Sequence, residues 1–212
     1  MGEFDSLNEA IIKGDIKTAL AETQKSVDGG KDVQDILDHG LISAMDEVGE
    51  RFSTGKMFVP QMLRSAKTMQ QCMALIKPFF QEGDITSKGK VLIATVKGDL
   101  HDIGKNLVAM MLEGAGFQIT DLGVDVPPDQ FVQRAQEIEP DIIAMSALLS
   151  ITMPAMPDTI KALEEAGFRD KIKVMIGGAP VTDKYAKEIA ADSYAPDAAS
   201  AVTAAKELLG IS

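Results

Sequence analysis

The sequence predicts an N-terminal helical region followed by an α/β region that is built on a parallel sheet. In residues 1–87, apolar side chains recur at intervals of three and four residues, which is the period of one helix face. From residue 88 onward, short strand-like runs alternate with helical stretches. A chain of 212 residues is long enough for two such domains, 1–87 and 88–212, each with its own core.

Four amphipathic helices account for the first domain. They are predicted over residues 6–14, 15–27, 32–52 and 60–79. Ser6 and Glu9 have the spacing of a capping box, and Gly14 is expected to end the first helix. Pro60 suits the first turn of the fourth helix. Short connections between such helices predict a four-helix bundle.

The second domain is predicted to hold five strands, each followed by a helix. The strand-like runs cover residues 91–96, 118–123, 141–146, 173–178 and 193–196. Helices are predicted near residues 104–115, 128–138, 154–166, 182–191 and 197–209. Five such units make a flavodoxin-like (Rossmann-like) sheet with the strand order 2-1-3-4-5. Ligands bind beyond the carboxyl ends of strands one and three in this order, so the site is expected just after Val96 and Met145.

Composition narrows the classes of function. The formal net charge of −11 argues against partners that are nucleic acids or anionic membranes. Cys72 is the single cysteine, which excludes an internal disulfide framework and fits a reducing compartment. The first ten residues lack the basic and apolar regions of a secretory signal, and no apolar run has the length of a membrane span. We therefore expect a cytoplasmic protein.

A histidine beside a carboxylate follows the first predicted strand. Asp99 and His101 lie two residues apart, and Gly104 stands where the next helix should begin. The carboxylate can accept the proton of one ring nitrogen and leave the other nitrogen free to bind a metal. A glycine lets a bulky group approach the backbone closely. A surface histidine among helix-capping aspartates is the alternative, but the switch-point location favours a metal ligand.

One imidazole is enough for a metal only if the metal arrives in a chelate. Besides His101, the chain offers only His39 and Cys72 as strong nitrogen or sulfur ligands, which argues against a closed zinc site. A metal held in a macrocycle fits a single protein ligand.

Further polar and small residues follow strands three and four. Ser146, Ser150 and Thr152 offer hydroxyls that could extend the hydrogen-bond chain from Asp99. Gly177 and Gly178 are expected to leave space instead of a side chain.

These motifs resemble those of a known family. The segment DLHDIG (99–104) resembles the Asp-x-His-x-x-Gly signature of domains that bind a corrinoid base-off, with histidine replacing the cofactor's own base. The segment SAL (146–148) is similar to the family's Ser-x-Leu, and the glycine pair at 177–178 to its Gly-Gly. The segment VGERFSTGKMFVPQMLRSAK (48–67) resembles the signature of the helical cap. The resemblance covers essentially the whole chain and extends to the cobalamin-binding module of methionine synthase.

The resemblance implies roles for individual residues. His101 would be the lower axial ligand of cobalt, Asp99 would bind its other ring nitrogen, and Thr152 would complete a proton relay. Besides His101 and Thr152, the residues expected to contact the cofactor are Asp102, Ile103, Gly104, Ser146, Leu148, Ser150, Gly177, Gly178, Tyr194 and Ala195. Phe52 and Val59 match cap positions that shield its upper face. His39 matches no motif position and is expected to be a surface residue.

The implied function is that of a methyl carrier, as in the corrinoid proteins of methylamine, methanol and betaine systems. A substrate-specific methyltransferase would load a methyl group onto cobalt, and a second would pass it to tetrahydrofolate or coenzyme M. A reductive activase is a further expected partner. The two domains leave no room for a substrate-binding barrel, so we expect a carrier subunit, while enzymatic activity of its own stays open. The cap would have to move, which predicts a mobile connection at residues 83–90.

Two alternatives come from other classes of function. A phosphoacceptor receiver domain shares the flavodoxin-like architecture, but it needs an aspartate at the end of strand three, where this chain has Ser146. A corrinoid-based sensor would use the same module with an added output domain, and no spare segment or basic patch is visible here. The methyl donor itself is left open by the sequence.

Overall fold

The computed structural model describes residues 2–80 and 87–211. The Cα positions divide into two compact units, one holding the N-terminal helices and the other holding the sheet. No helix in these two ranges is both long enough and apolar enough to cross a lipid bilayer. Part of the predicted connection, residues 83–86, lies outside the described residues.

The helical unit contains the four predicted helical segments. Their parts are α1 (Asp5–Lys13), α2 (Ile16–Asp28), α3 (Val33–Asp35), a π-helical stretch (Ile36–Ile42), α4 (Ser43–Ser53) and α5 (Val59–Ile76), followed by a 3₁₀ turn (Lys77–Phe79). Because α3, the π-helical stretch and α4 follow one another without a break, they form the third segment.

The ends of these helices follow local rules with one exception. Gly14 ends α1 in the left-handed conformation, and the Asp15 side chain accepts the Thr18 N–H at the start of α2. The predicted capping box at Ser6 is wrong, because α1 begins at Asp5 and Ser6 lies inside the helix. Phe4 occupies the N-cap position and is buried, so packing of its ring outweighs the local capping pattern.

The π-helical stretch replaces the regular helix that was predicted for this part of the third segment. Its Gly40 is buried, and a Cβ atom at this position would lie 2.9 Å from Leu7 Cδ2 and 3.4 Å from Phe4 Cδ1. The glycine therefore lets α1 approach the helix closely, which explains a residue that otherwise weakens a helix interior.

The α/β unit is built on five parallel strands in the predicted order β2-β1-β3-β4-β5. The strands are β1 (Lys90–Thr95), β2 (Gln118–Asp121), β3 (Ile142–Ser146), β4 (Lys173–Gly177) and β5 (Ser193–Ala195). Strands β1 and β3 are almost entirely buried, as expected for a parallel sheet with both faces covered. Strand pairing aligns Thr95, Ser146, Gly177 and Ala195 in one row, so the loops after these strands leave from a common edge.

In residues 87–211, four α-helices connect the strands and a fifth follows β5, and a 3₁₀ turn (Arg169–Lys171) precedes β4. The α-helices are α6 (Ile103–Gly114), α7 (Pro128–Ile138), α8 (Ala155–Glu165), α9 (Asp183–Glu188) and α10 (Ala198–Leu209). Helix α9 ends three residues earlier than predicted. Ala190 adopts the left-handed conformation with φ of 57°, which a right-handed helix cannot include.

Replacing Ala190 by glycine should stabilise the protein by about 1 kcal/mol, because glycine adopts a positive φ without the Cβ clash. Thermal unfolding followed by circular dichroism measures this gain. Ala191→Gly is the matched control, since the backbone of Ala191 has no positive φ, and it should give no gain. Equal effects of the two changes would contradict the explanation.

Candidate functional site

The loops after β1 and β3 meet at the carboxyl edge of the sheet. The two strands are neighbours, and Thr95 pairs with Ser146 at their ends. This is the switch point of the strand order, where parallel sheets bind ligands. The β1 loop carries Asp99 and His101, and the β3 loop carries Thr152.

Asp99 supports His101 through both the side chain and the main chain. One carboxylate oxygen, Oδ1, lies 2.7 Å from Nδ1 of the His101 ring and accepts the His101 backbone N–H at 3.0 Å. Asp99 is fully buried, whereas 51% of the His101 side chain is exposed. Within residues 2–80 and 87–211, the ring makes no other hydrogen bond, so Nε2 has no hydrogen-bond partner there.

The second oxygen of Asp99 joins the β3 loop. Oδ2 accepts the Leu148 N–H at 2.7 Å, the Leu149 N–H at 3.3 Å and the Thr152 hydroxyl at 2.7 Å. Thr152 is itself buried, and its hydroxyl also lies 2.8 Å from the Leu149 carbonyl oxygen. The carboxylate thus receives hydrogen bonds from both loops.

The groups that donate hydrogen bonds to Asp99 determine its charge. Burial alone would raise the pKa of the Asp99 carboxyl, but the hydrogen bonds from Thr152, from the amides of His101 and Leu148 and from the His101 ring together lower it well below its ordinary value. An ionised carboxylate only accepts hydrogen bonds. Nδ1 of His101 must therefore carry the ring proton, which leaves the lone pair of Nε2 available in the neutral ring.

The two serines after β3 do not extend this chain. Ser146 ends the strand and Ser150 is exposed in the loop, and neither hydroxyl binds Asp99. Of the three hydroxyls considered from the sequence, only that of Thr152 reaches the carboxylate.

The glycines of the site differ in what surrounds them. A Cβ atom on Gly104 would meet nothing within 4 Å, so the start of α6 is open there. A Cβ on Gly178 would lie 1.9 Å from the Ala147 carbonyl oxygen, and one on Gly177 would lie 2.9 Å from that of Ala195. The expectation that Gly177 and Gly178 leave space is wrong at these Cβ positions, because neighbouring backbone fills them.

Exposed apolar side chains are concentrated in the two loops and at Ile103, the first residue of α6. Ile103 is 78% exposed and Ile151 is 84% exposed. Three leucines in the same loops are also exposed: Leu100, Leu148 and Leu149. Large apolar side chains left in water beside a polar ligand group fit a bulky, partly apolar ligand. Loop residues have no periodic pattern, so the sequence indicated only Ile103 and Leu148.

Other predicted contact residues of this unit occupy the same edge or the segment leading to it. Asp102 is exposed and accepts a hydrogen bond from the Asn106 side chain at 3.1 Å. Tyr194 and Ala195 lie in β5 and pair with the end of β4. These placements agree with the predicted strand ends.

The remaining predicted residues lie in the helical unit. Phe52 is half-buried in α4, and Val59 is the first residue of α5 and is exposed. Phe58 is more exposed than either, at 69%, and the sequence did not single it out. His39 is exposed within the π-helical stretch, as expected for a surface residue.

A buried lysine, Lys105, was not predicted from the sequence. Only 2% of the Lys105 side chain is exposed, and its ammonium group pairs with Asp121 at the end of β2 and bonds to the Asn106 side chain at 2.7 Å. The one feature of the sequence that could have indicated Lys105 is its position directly after Gly104, in the first turn of α6. Across the described parts of the chain, no group of three or more His, Cys, Asp or Glu side chains could enclose a metal.

The strand order and the supported histidine define a ligand-binding protein of the doubly wound α/β class. The chain belongs to the B12 binding domain family, which matches residues 89–205, and a second family with the same description matches residues 3–77. It is therefore a corrinoid-binding protein. The donor set fits such a cofactor, since one imidazole nitrogen without a hydrogen-bond partner in the described residues can complete the coordination of a chelated metal.

Similar proteins cover nearly the whole chain. The dimethylamine corrinoid protein of Methanosarcina barkeri is 44% identical over 97% of each chain. A solved cobalamin-binding protein from Desulfitobacterium hafniense DCB-2 is 30% identical, with a TM-score of 0.81 over 97% of this chain and 98% of that one. A chain of the methanol:cobalamin methyltransferase complex MtaBC from Methanosarcina barkeri is 29% identical, with a TM-score of 0.88 over 97% of this chain and 78% of that one.

Replacing Asp99 by asparagine should destabilise the protein without cofactor by about 2 to 3 kcal/mol at neutral pH. The asparagine side chain has an NH₂ group in place of one carboxylate oxygen, so a hydrogen-bond donor would face the donors that Asp99 now accepts from. The folded pKa of Asp99 lies below its unfolded value, so the carboxylate stabilises the fold above the unfolded pKa, and this contribution is lost as the pH falls. The difference between the wild type and Asp99→Asn should therefore narrow below about pH 4.

Urea unfolding measured from neutral to acid pH tests this dependence. Asp129→Asn is the control, because Asp129 is an exposed carboxylate in the first turn of α7 and should change stability little at any pH. A pH-independent difference for Asp99→Asn would contradict an ionised, stabilising Asp99.

Proposed function

We propose that this chain is a corrinoid-binding methyl carrier, in which His101 is the lower axial ligand of the cofactor. The observation that carries the proposal is the hydrogen-bonded chain His101–Asp99–Thr152, which ends in a half-exposed imidazole whose Nε2 makes no hydrogen bond with the described residues. The bound corrinoid supplies a cobalt atom that accepts and releases the methyl group. Relatives described as corrinoid proteins and a similar chain in a methyltransferase complex support this role.

The tautomer of His101 supports a base-off, His-on mode of binding. Asp99 holds the ring proton on Nδ1, so the Nε2 lone pair is free for the metal. The buried carboxylate also limits rotation of the ring, because its oxygen binds both Nδ1 and the main-chain N–H of the same residue.

The same chain of residues can couple metal binding to a proton. If Nε2 held the metal of the corrinoid, it could not hold a proton at the same time, so the binding of the metal and of a proton at this nitrogen would exclude each other. Asp99 would stabilise the protonated, imidazolium form of the ring through Nδ1. The Thr152 hydroxyl lies within hydrogen-bond distance of Asp99 Oδ2 and of the Leu149 carbonyl oxygen, so it can adjust to the charge on the pair. We therefore assign these residues to a protonic switch.

The two units are proposed to be separate domains, a helical cap at residues 1–87 and a corrinoid-binding domain at residues 88–212. Phe52 and Val59 of the cap would shield the upper face of the corrinoid. The residues proposed to line the cofactor site are Asp102, Ile103, Gly104, Ser146, Leu148, Ser150, Gly177, Gly178, Tyr194 and Ala195. The open Cβ position of Gly104 and the exposed Ile103 and Leu148 support this assignment.

The proposed partners are a substrate-specific methyltransferase, a second methyltransferase that uses an acceptor such as tetrahydrofolate or coenzyme M, and a reductive activase. The cytoplasm is the proposed compartment. Its reducing conditions suit a free, buried Cys72.

Loss of His101 should remove the ligand but not the fold. Wild-type protein reconstituted with hydroxocobalamin is expected to show the base-off, His-on absorption spectrum, and His101→Ala is expected to lose it. His39→Ala removes the second histidine of the chain, which lies in the helical unit, and should keep the wild-type spectrum. Failure of the wild type to retain corrinoid, or a His-on spectrum in His101→Ala, would overturn the proposed ligand.

The carrier role has its own test. Reduced, corrinoid-loaded protein is mixed with a methyltransferase and its methylated donor, and the corrinoid absorption is followed. A spectral change that requires both the enzyme and the donor is expected for at least one of the methylamine, methanol and betaine systems. No change with any of them would contradict the role.

A further inference from the structure

The loop that carries His101 is held by contacts beyond those of Asp99. The Thr95 hydroxyl donates a hydrogen bond to the main-chain carbonyl of His101 at 2.8 Å. Thr95 is the last residue of β1 and is fully buried. The strand therefore binds the main chain of the ligand residue directly, six residues further along the chain.

A second contact fixes the loop just before Asp99. The Asp125 carboxylate accepts the Gly98 N–H at 2.7 Å, and the Asp125 N–H donates to the Asp99 carbonyl at 3.0 Å. The two hydrogen bonds run in opposite directions between the same segments. Asp125 makes them in the left-handed conformation, with φ of 56°, which is uncommon for residues other than glycine, asparagine and aspartate.

Both contacts are attached to the sheet. Val96 and Val126 form a parallel bridge, and the Val126 N–H donates to the Thr95 carbonyl at 3.1 Å. Thr95 also donates its own N–H to the Gly123 carbonyl at 2.9 Å. Because Asp125 directly precedes the bridge, its position is set by the sheet.

We propose that Thr95 and Asp125 are positioning residues that hold residues 98–101 so that Nε2 of His101 is presented to the corrinoid in one orientation. This inference rests on the proposed function, in which His101 binds the metal. Asp99 fixes the ring relative to its own loop, whereas Thr95 and Asp125 fix that loop relative to the sheet. Without them the hydrogen bond between Asp99 and His101 could form, but its direction would vary.

The physical expectation is a loss of preorganisation. A loop that samples several positions must be ordered when the cofactor binds, and that ordering opposes binding. Residues that orient a metal ligand typically change metal affinity by about 10- to 100-fold when they are replaced. Thr95→Val has nearly the shape of threonine and removes only the hydroxyl, so it isolates the bond to the His101 carbonyl.

The first test compares Thr95→Val with Thr95→Ser and with Thr159→Val. Thr159 is a fully buried threonine of α8 whose hydroxyl bonds to the Ala155 carbonyl at 2.8 Å, so Thr159→Val removes a similar group away from the loop. Thr95→Val should weaken hydroxocobalamin binding about tenfold and lower the His-on fraction of the retained corrinoid. Thr95→Ser and Thr159→Val should keep the wild-type affinity and spectrum.

The second test separates the hydrogen bond of Asp125 from its backbone conformation. Asp125→Gly keeps the left-handed conformation without strain but removes the acceptor, whereas Asp125→Asn keeps both an acceptor oxygen and tolerance of the conformation. In the protein without corrinoid, the Gly98 amide should exchange its hydrogen faster in Asp125→Gly than in the wild type. Asp125→Asn should keep the slow exchange of the Gly98 amide and the corrinoid binding of the wild type.

The outcomes separate this inference from the proposed function. If the wild type does not bind corrinoid through His101, the proposed function is overturned and the inference falls with it. If the wild type binds corrinoid but Thr95→Val matches Thr159→Val in affinity and spectrum, the positioning role of Thr95 is overturned. If Asp125→Gly leaves the hydrogen exchange of the Gly98 amide and the His-on fraction unchanged, the positioning role of Asp125 is overturned.

Discussion

The carboxylate of Asp99 is fully buried, and the loops after β1 and β3 meet around it. A buried charge without partners would be strongly unfavourable. Here hydrogen bonds come from the ring and amide of His101, from the amides of Leu148 and Leu149, and from the Thr152 hydroxyl. These bonds keep the carboxylate ionised and set the tautomer of His101.

The parallel sheet makes this arrangement possible. Strand register places the ends of β1, β3, β4 and β5 in one row, so loops that are distant in sequence leave from neighbouring points. The glycine at 178 lets its backbone approach the Ala147 carbonyl, where any side chain would collide. Backbone is closely packed at these strand ends, and the loops that leave from them carry exposed apolar side chains.

Much of the fold could be predicted, because helix and strand periods are properties of the side chains themselves. The place of Asp99 and His101 followed from the end of β1 and from the spacing of the motif. The amides of Leu148 and Leu149 could not be predicted, since any residue supplies the same main-chain donor. The close approach at Gly178 also depends on backbone from another strand.

Other features depend on contacts that sequence spacing does not encode. The predicted capping box failed because burial of Phe4 decides where α1 begins. The role of Thr95 depends on a loop folding back onto its own strand, and that of Asp125 on a left-handed turn. Neither has a local pattern that separates it from an ordinary strand end or loop aspartate.

The central claim is that a nitrogen of His101, and not the cofactor's own base, is bound to cobalt. Electron paramagnetic resonance of the bound cobalt(II) corrinoid tests it in protein labelled with ¹⁵N at histidine alone. An axial ¹⁴N splits the signal into triplets and an axial ¹⁵N into doublets, because their nuclear spins differ. The account predicts doublets in labelled wild-type protein and in labelled His39→Ala. Triplets that persist in the labelled wild type would show that the histidine is not the ligand and would contradict the account.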